Sequence, residues 1–388
     1  MKRIICWVIL FCVAVFWKTG TATPLQGGIG LHHLYSARVL PKGHLEWHNG
    51  IRYFGKIANF GDERDAYTLW NVQGFITINY GISDHVELAV SPIVYQDTNK
   101  PGQDVVNTPD DLYLSLKTGS HSKLESPWIF GGMVYARIPT ANLHNIIYEP
   151  YSAGSLELGV TGFLSYFSNV AFPDEGWSLH TNLGLLNHND VGKELTTDPG
   201  DPTPGSMSME LLAGLGILYP AGTFQFSLEF NSRMFITTQP PVTAYSRENM
   251  SYLTMGVYYD ARRWLTIEMG FDISVLAAED ESVYVPDTHL RKPPTEDFPN
   301  YPSWRGILGA KFNILPYLFR SSESYQLQQQ SRDRRVILER LMEEQKNTES
   351  AEDELTRIRS ERQRVEEELK RLRLLLEEEE KKKKEDEN

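Results

Sequence analysis

Charged side chains recur inside stretches of this chain that are otherwise apolar, and they do so at every second position. In TFQFSLEFNSRMF (223–235), Phe226 and Leu228 alternate with Ser227, Glu229 and Asn231. Period-two alternation predicts a β-strand with one apolar and one polar face. The same pattern along the chain gives these charged candidates for a polar interior: Glu46, Arg52, Glu87, Lys117, Arg137, Glu157, Glu210, Glu229, Arg233, Glu268, Asp272, Arg305 and Lys311.

These charges support two kinds of chemistry. If they are enclosed, they must be paired, because an isolated buried charge costs several kcal/mol. If they surround an open path, they can instead form a selectivity constriction for a solute. The pairs expected on adjacent strands are Glu87 with Lys117, Arg137 with Glu157, and Glu210 with Arg233.

No stretch of the sequence predicts a catalytic or metal site. His44, Glu46 and His48 share one face of the first strand, but alternate strand positions lie about 7 Å apart, which favours polar filling over metal ligation. A hydrolytic site needs a serine beside a histidine and a polar orienting group, but in the nearest string, at 120–122, His121 lies in a predicted periplasmic turn. We therefore predict that the protein is not an enzyme, with catalytic residues, metal and cofactor all none.

The elements that position the charges are repeated strands joined by alternately short and long connections. About twelve alternating segments lie between residues 43 and 314. Short turns at 81–84, 220–222 and 260–263 contrast with longer connections, which are 56–66, 96–110, 189–205 and 277–300. A soluble β-sandwich does not require this rhythm, whereas outer-membrane barrels have it. The predicted fold class is all-β transmembrane: an antiparallel outer-membrane β-barrel of about twelve strands.

Aromatic residues fall at the predicted strand ends. Tyr80, Trp128, Trp177, Tyr219 and Trp264 flank the short turns, and Trp304 lies toward a long connection. Two girdles at the membrane interfaces are typical of such barrels. The partner that this pattern predicts is outer-membrane lipid.

The N-terminus predicts export. A basic start and an apolar run of roughly 14 residues end in a small-residue cleavage site, so residues 1–22 are expected to be a signal peptide. Residues 23–42 are then expected to be a periplasmic lead-in. The formal net charge of −13 argues against nucleic-acid binding, and a mean hydropathy of −0.37 excludes a helical membrane bundle.

Two strings resemble a known family. SARVLPKGHLEW (36–47) and YGISDHVELAVSPIVY (80–95) resemble bacterial outer-membrane barrels of the phenol-degradation-pathway, MetA-like transporter type. The resemblance covers about residues 30–320 and implies a diffusion or uptake channel for a small solute that it does not name. In WRGILGAKFNI, Gly309, Phe312 and Ile314 resemble the signal read by the outer-membrane insertion machinery.

The composition changes after a linker at 315–324, and residues 325–388 predict a long charged α-helix. Its apolar positions follow a 3-4 heptad spacing that predicts a coiled-coil seam: Leu355, Ile358, Val365, Leu369, Leu372 and Leu376. Two interpretations stay open, a homo-oligomer or a helix bound to a periplasmic partner. We expect the tail in the periplasm, because an even number of strands returns the chain there.

The functional prediction is a channel or transporter that gives passive or gated passage to a small solute. The main alternative is a structural barrel whose tail tethers or spaces the cell envelope. An outer-membrane hydrolase is a weaker alternative, because the sequence offers no activated serine.

Overall fold

The structure is a computed structural model. It describes residues 22–59, 66–100, 103–122, 126–170, 173–195, 203–239, 245–276, 281, 300–316, 348 and 353–371. The predicted signal peptide lies outside the described residues. The chain divides into two units, residues 1–319 and 320–388, and each is described by itself.

The first unit is a single antiparallel sheet of thirteen strands. The strands are β1 (Leu45–Asn59), β2 (Ala66–Ser83), β3 (Val86–Lys100), β4 (Gln103–Asn107), β5 (Leu112–His121), β6 (Trp128–Ile138), β7 (Glu157–Phe167), β8 (Ser178–Asn187), β9 (Met209–Ala221), β10 (Phe224–Thr237), β11 (Met250–Arg262), β12 (Leu265–Ser274) and β13 (Trp304–Leu315).

The sheet closes on itself. β1 pairs with β2 on one side and with β13 on the other, and β2 in turn pairs with β3. β4 pairs only with β3, from which it folds back as a short hairpin, so the closed ring contains twelve strands. The prediction of about twelve strands is confirmed. β4 itself lies within 96–110, which the sequence analysis treated as a connection.

The strands expose their apolar face and bury their polar face. Along β7 the buried positions alternate with exposed ones, so that Glu157, Thr161 and Ser165 point inward while Leu158 and Val160 are about half exposed. In β12, Glu268 and Asp272 are buried, whereas Met269 and Phe271 are 50% and 41% exposed. This distribution of apolar and polar faces is the reverse of that in a water-soluble sheet and is typical of a barrel in apolar surroundings.

Residues 22–40, which we call the inner segment, lie inside the ring. Leu31, Leu34 and Ala37 are almost fully buried, and the segment hydrogen-bonds to side chains from strands on opposite sides of the barrel. The sequence analysis expected a periplasmic lead-in at 23–42 instead. The segment enters the ring because a twelve-stranded barrel leaves more interior space than its own side chains fill.

The aromatic residues named from the sequence lie on the outside. Tyr80, Trp128, Trp177, Tyr219 and Trp264 are each more than a third exposed. Trp304 is half-buried because it packs against Phe54 and Phe271. Their role as interface girdles stays a prediction.

The second unit is described as a helix, α1 (353–371). The prediction of a helix across 325–388 is therefore met over this shorter range, and no coiled coil is described. Leu355, Ile358, Val365 and Leu369 are each slightly more than half exposed, while Leu372 and Leu376 lie outside the described residues. Among the helical residues that the structure describes, none belong to a helix long and apolar enough to cross a membrane.

Candidate functional site

The barrel lumen divides into a part filled by the inner segment and a part that remains open. The strongest anchor of the inner segment is Glu229 on β10. Its carboxylate accepts the backbone N–H groups of His32, His33 and Leu34 at 3.0, 2.9 and 3.2 Å. Hydrogen bonds to a charged acceptor are stronger than neutral ones, so this single side chain fixes one full turn of the segment.

Other lumen side chains hold the rest of the segment by its backbone. The amide of Asn182 accepts from Tyr35 N–H at 2.6 Å and donates to the Tyr35 carbonyl at 2.9 Å. The hydroxyl of Ser165 accepts from Ala37 N–H at 2.8 Å. Lys117 donates to the Ile29 carbonyl at 2.8 Å, so the inward polar residues act as partners for the chain's own backbone.

The close approach of His32 to the wall requires a residue without a side chain. A Cβ atom on Gly270 of β12 would lie 2.8 Å from His32 Nε2, and one on Gly256 of β11 would lie 2.9 Å from His32 Cδ2. His32 stacks on Tyr258 with ring centroids 5.0 Å apart. The two glycines therefore form the bed on which this ring lies.

Beside the inner segment lies a cavity, which we call the chamber, with a volume of about 120 Å³. The inner segment lines one side of it, the strands line its wall, and Tyr148, Glu149 and Pro150 from the connection after β6 line another part. The inner segment and the strands together present phenol rings and apolar side chains to the chamber, which are Leu25, Leu34, Ile93, Leu212, Met250, Tyr35, Tyr113 and Tyr135.

Four arginines also line the chamber, and three of them are paired with carboxylates behind the wall. Arg137 Nε donates to Asp111 at 2.6 Å, and its Nη1 lies 3.6 Å from Glu157. Arg233 donates to Glu210 at 2.5 Å. Arg305 donates to Asp272 through two nitrogens, at 3.0 and 2.8 Å. These ion pairs balance the charge of three guanidinium groups.

The fourth arginine, Arg52 of β1, is different. Its side chain is 7% exposed, and among the described residues no carboxylate lies within the 4.0 Å of an ion pair. It contacts the His32 carbonyl at 3.4 Å and lies 5.4 Å above the Phe75 ring, but its Nε has no hydrogen-bond partner in the described part of the chain. The hydroxyls of Tyr135 and Thr161, two other residues that line the chamber, also lack a partner there.

Glu149 is the one carboxylate among the residues lining the chamber that the structure describes. It accepts a hydrogen bond from Gln73 Nε2 at 2.9 Å. Burial, reinforced by the neighbouring Asp110 carboxylate, raises the pKa of Glu149 to about 8. Glu149 is therefore largely protonated near neutral pH and does not neutralise the arginines.

All the charged candidates from the sequence lie on the inside of the ring. Arg233 is partly buried and the others are buried. Arg137 with Glu157 and Glu210 with Arg233 are ion pairs, and Glu87 lies opposite Lys117 in the β3–β5 register. A hydrogen bond of 3.1 Å joins His48 Nε2 to the Glu268 carboxylate. Glu46 lies on the same strand as His48. Their part in solute selection stays a prediction.

Several residues that hold the inner segment or pair with lumen carboxylates were not predicted from the sequence. Ser165 and Asn182 carry no charge, so nothing in the alternation distinguishes them from ordinary lumen residues. His188, which lies between Glu157 at 3.0 Å and Glu210 at 3.2 Å, was also missed, because it follows β8 in a predicted connection. Gly309, Phe312 and Ile314 all lie in β13, the strand that closes the ring.

Across the described residues, no group of three His, Cys, Asp or Glu side chains is arranged to hold a metal ion. His44, Glu46 and His48 thus form no such group there. The arrangement offers instead a polar chamber in which Arg52 has no ion-pair partner among the described residues.

Comparisons with known proteins give similarity of fold alone. No family model matches the chain, and no curated protein matches it. A solved outer membrane channel from Pseudomonas putida F1 is 13% identical, with 71% of this chain and 97% of that chain covered and a TM-score of 0.45. The translocator domain of the autotransporter NalP from Neisseria meningitidis is 8% identical, with 71% and 89% covered and a TM-score of 0.35.

A third solved structure, the CymD monoaromatic hydrocarbon channel, is 7% identical, with 71% of this chain and 89% of that chain covered and a TM-score of 0.32. Similarity at these levels gives no information about the function of this chain.

Proposed function

We propose that this protein is an outer-membrane channel that gives passage to a small solute, with the inner segment restricting its lumen. The observation that carries the proposal is the inverted polarity of the barrel. Half-exposed side chains such as Leu158, Met269 and Phe271 cover the outside, where water would be an unfavourable neighbour. The polar inside and its chamber form a path that lipid cannot fill.

The chamber also bears on the alternative, a barrel that has only a structural role and a filled lumen. A barrel with only a structural role has no need for the chamber, because closely packed interiors leave few voids larger than a water molecule. The resemblance to MetA-like transporters agrees with a channel. It adds no solute to the proposal.

The test is single-channel conductance and liposome swelling of the full chain, with the inner segment locked or free in the same protein. Ser165 Oγ lies 2.8 Å from Ala37 N, so the two residues are in contact and the pair A37C/S165C is chosen for a disulfide that locks the segment. The only natural cysteines are Cys6 and Cys12, which lie in the predicted signal peptide. We expect lower conductance in the oxidised form than after reduction.

Two results would count against this proposal in different ways. If neither form gives openings or solute flux, the channel function is wrong. If both forms conduct equally well, solute passes beside a fixed inner segment, and only the restricting role of that segment is wrong. Gel mobility of the oxidised and reduced forms verifies that the disulfide has formed.

We also infer that α1 associates with a second copy of itself in the periplasm. The half-exposed Leu355, Ile358, Val365 and Leu369 form one seam, and Arg362 with Glu366 and Arg357 with Glu361 are i,i+4 ion pairs along the helix. Chemical crosslinking of the full chain should give a ladder that disappears on truncation after Arg320. A channel keeps its flux in that truncation, whereas an envelope tether loses its phenotype.

A further inference from the structure

The chamber contains one arginine without an ion-pair partner among the described residues. Three of its four arginines are paired through hydrogen bonds of 2.5 to 3.0 Å, and Arg52 is the remaining one. Burying a guanidinium without a counter-charge costs several kcal/mol, so an unbalanced one marks a position where a negative charge would be stabilised.

Nearby carboxylates are not available to Arg52. Asp272 Oδ2 accepts from Arg305 at 2.8 Å, and its Oδ1 accepts from Thr254 at 2.7 Å and lies 3.0 Å from His33 Nε2. Both oxygens of that carboxylate are thus occupied. Glu149, with its raised pKa, is largely uncharged near neutral pH for the reason given above.

The position of Arg52 is fixed rather than mobile. Phe75, which is 3% exposed, lies under its guanidinium, and the His32 carbonyl accepts from Nη2. A planar guanidinium held in this way presents its remaining N–H groups in one direction, which is the geometry that a carboxylate requires.

Part of the chamber lining is suited to an apolar body. Leu25, Ile93 and Met250 are buried there beside the rings of Tyr113 and Tyr135, and polar side chains form the rest of the lining. Pockets for small molecules combine apolar contacts with a few polar groups that fix the orientation of the ligand. The free hydroxyls of Tyr135 and Thr161 offer two further hydrogen-bonding groups.

We propose that the chamber binds a small organic monoanion, a carboxylate with an aliphatic or aromatic body, through Arg52. One negative charge balances one guanidinium, and the apolar lining contacts the body. The proposal names the solute class of the proposed channel and in that sense rests on the proposed function, but binding can be measured without any flux. A dianion without an apolar body, such as sulfate, is expected to bind less well.

The experiment is calorimetric titration of the full chain in nanodiscs with benzoate, with benzamide as its neutral counterpart, and with sulfate. Wild type should bind benzoate saturably and benzamide at least tenfold more weakly. In R52Q we expect benzoate affinity to fall about 10- to 100-fold, because one charge-assisted contact is lost, while benzamide is unaffected. R52K keeps the charge but not the planar group and should lie between the two.

The matched control is K56Q. Lys56 is an exposed residue of the same strand, so this variant removes one positive charge without touching the chamber. It should bind benzoate like wild type. Retention of the heat-modifiable gel mobility typical of folded barrels verifies the fold of each variant, and if R52Q does not fold, R52K and the benzoate–benzamide comparison in wild type decide.

Three results would overturn the inference: equal benzoate binding in R52Q and wild type, equal affinity for benzamide and benzoate, or tighter binding of sulfate than of benzoate. These failures are distinct from failure of the channel. If the protein opens in planar bilayers but does not bind benzoate, the channel function is retained and the anion site is wrong. If it binds benzoate but never opens, the anion site is retained and the channel function is wrong.

Discussion

The two parts of the lumen have walls of the same kind but use them differently. Around the inner segment, lumen side chains such as Glu229, Asn182 and Ser165 are matched to backbone groups of the chain itself. Around the chamber, Arg52, Tyr135 and Thr161 carry polar atoms without a hydrogen-bond partner among the described residues. Buried polar groups are almost always hydrogen-bonded in native folds, and Glu87 Oε1 near the inner segment also lacks a partner there. The contrast therefore depends on the open space beside the three chamber residues, which a ligand can occupy.

The largest expected effect comes from removing the main anchor of the filled part. In E229A, three backbone N–H groups of the inner segment lose their acceptor, and we expect that segment to be destabilised by about 3 kcal/mol or more, because each bond joined a donor to a charged group. The segment should then leave its position more often, and single-channel conductance should rise.

E229Q is the matched control for that prediction. Its amide oxygen can still accept from the segment, so the rise in conductance should be smaller than in E229A. Unchanged conductance in both variants would mean that the inner segment does not depend on this carboxylate, and the contrast between the two parts of the lumen would lose its main support.

The strands of this barrel could be predicted from sequence, whereas the contents of the lumen could not. Alternation such as that of Met269 and Phe271 with Glu268 and Asp272 has a fixed period, so it gives both the strand and its two faces. The short β4 was missed because its five residues lie between turn-forming residues and show too little alternation. The expected positions of Arg137 beside Glu157, and of Glu210 beside Arg233, were obtained by counting residues from the short turns, and the structure shows both ion pairs.

The inner segment was not predicted because it has no period. Its backbone is held by side chains up to 197 positions away in sequence, as between His32 and Glu229, and no local pattern records such a contact. Arg52 lies on the buried face of β1, but its lack of an ion pair depends on which carboxylates the register brings to the other arginines. Register cannot be read from one strand alone.

A smaller effect is expected from removing one hydroxyl in the filled part. S165A deletes the acceptor for Ala37 N–H and also the contact with His180 Nδ1 at 2.8 Å. We expect the free energy of unfolding to fall by about 1 to 2 kcal/mol, because a buried backbone donor is left without a partner. Urea unfolding of the full chain in phospholipid vesicles measures it, and a loss below the error of that titration would contradict the assignment.

The smallest expected effect comes from the corresponding hydroxyl of the chamber. Thr161 lies on the same inward face of β7 as Ser165, four positions away, but its hydroxyl has no hydrogen-bond partner among the residues that the structure describes. T161V replaces that hydroxyl with a methyl group of similar shape. Since no hydrogen bond is lost and a buried polar group is removed, the free energy of unfolding should stay within about 0.5 kcal/mol of wild type or rise. If T161V costs as much as S165A in the same urea titration, the Thr161 hydroxyl is satisfied within the fold. The chamber wall would then be saturated like the wall around the inner segment, and the distinction between the two parts would have to rest on Arg52 alone.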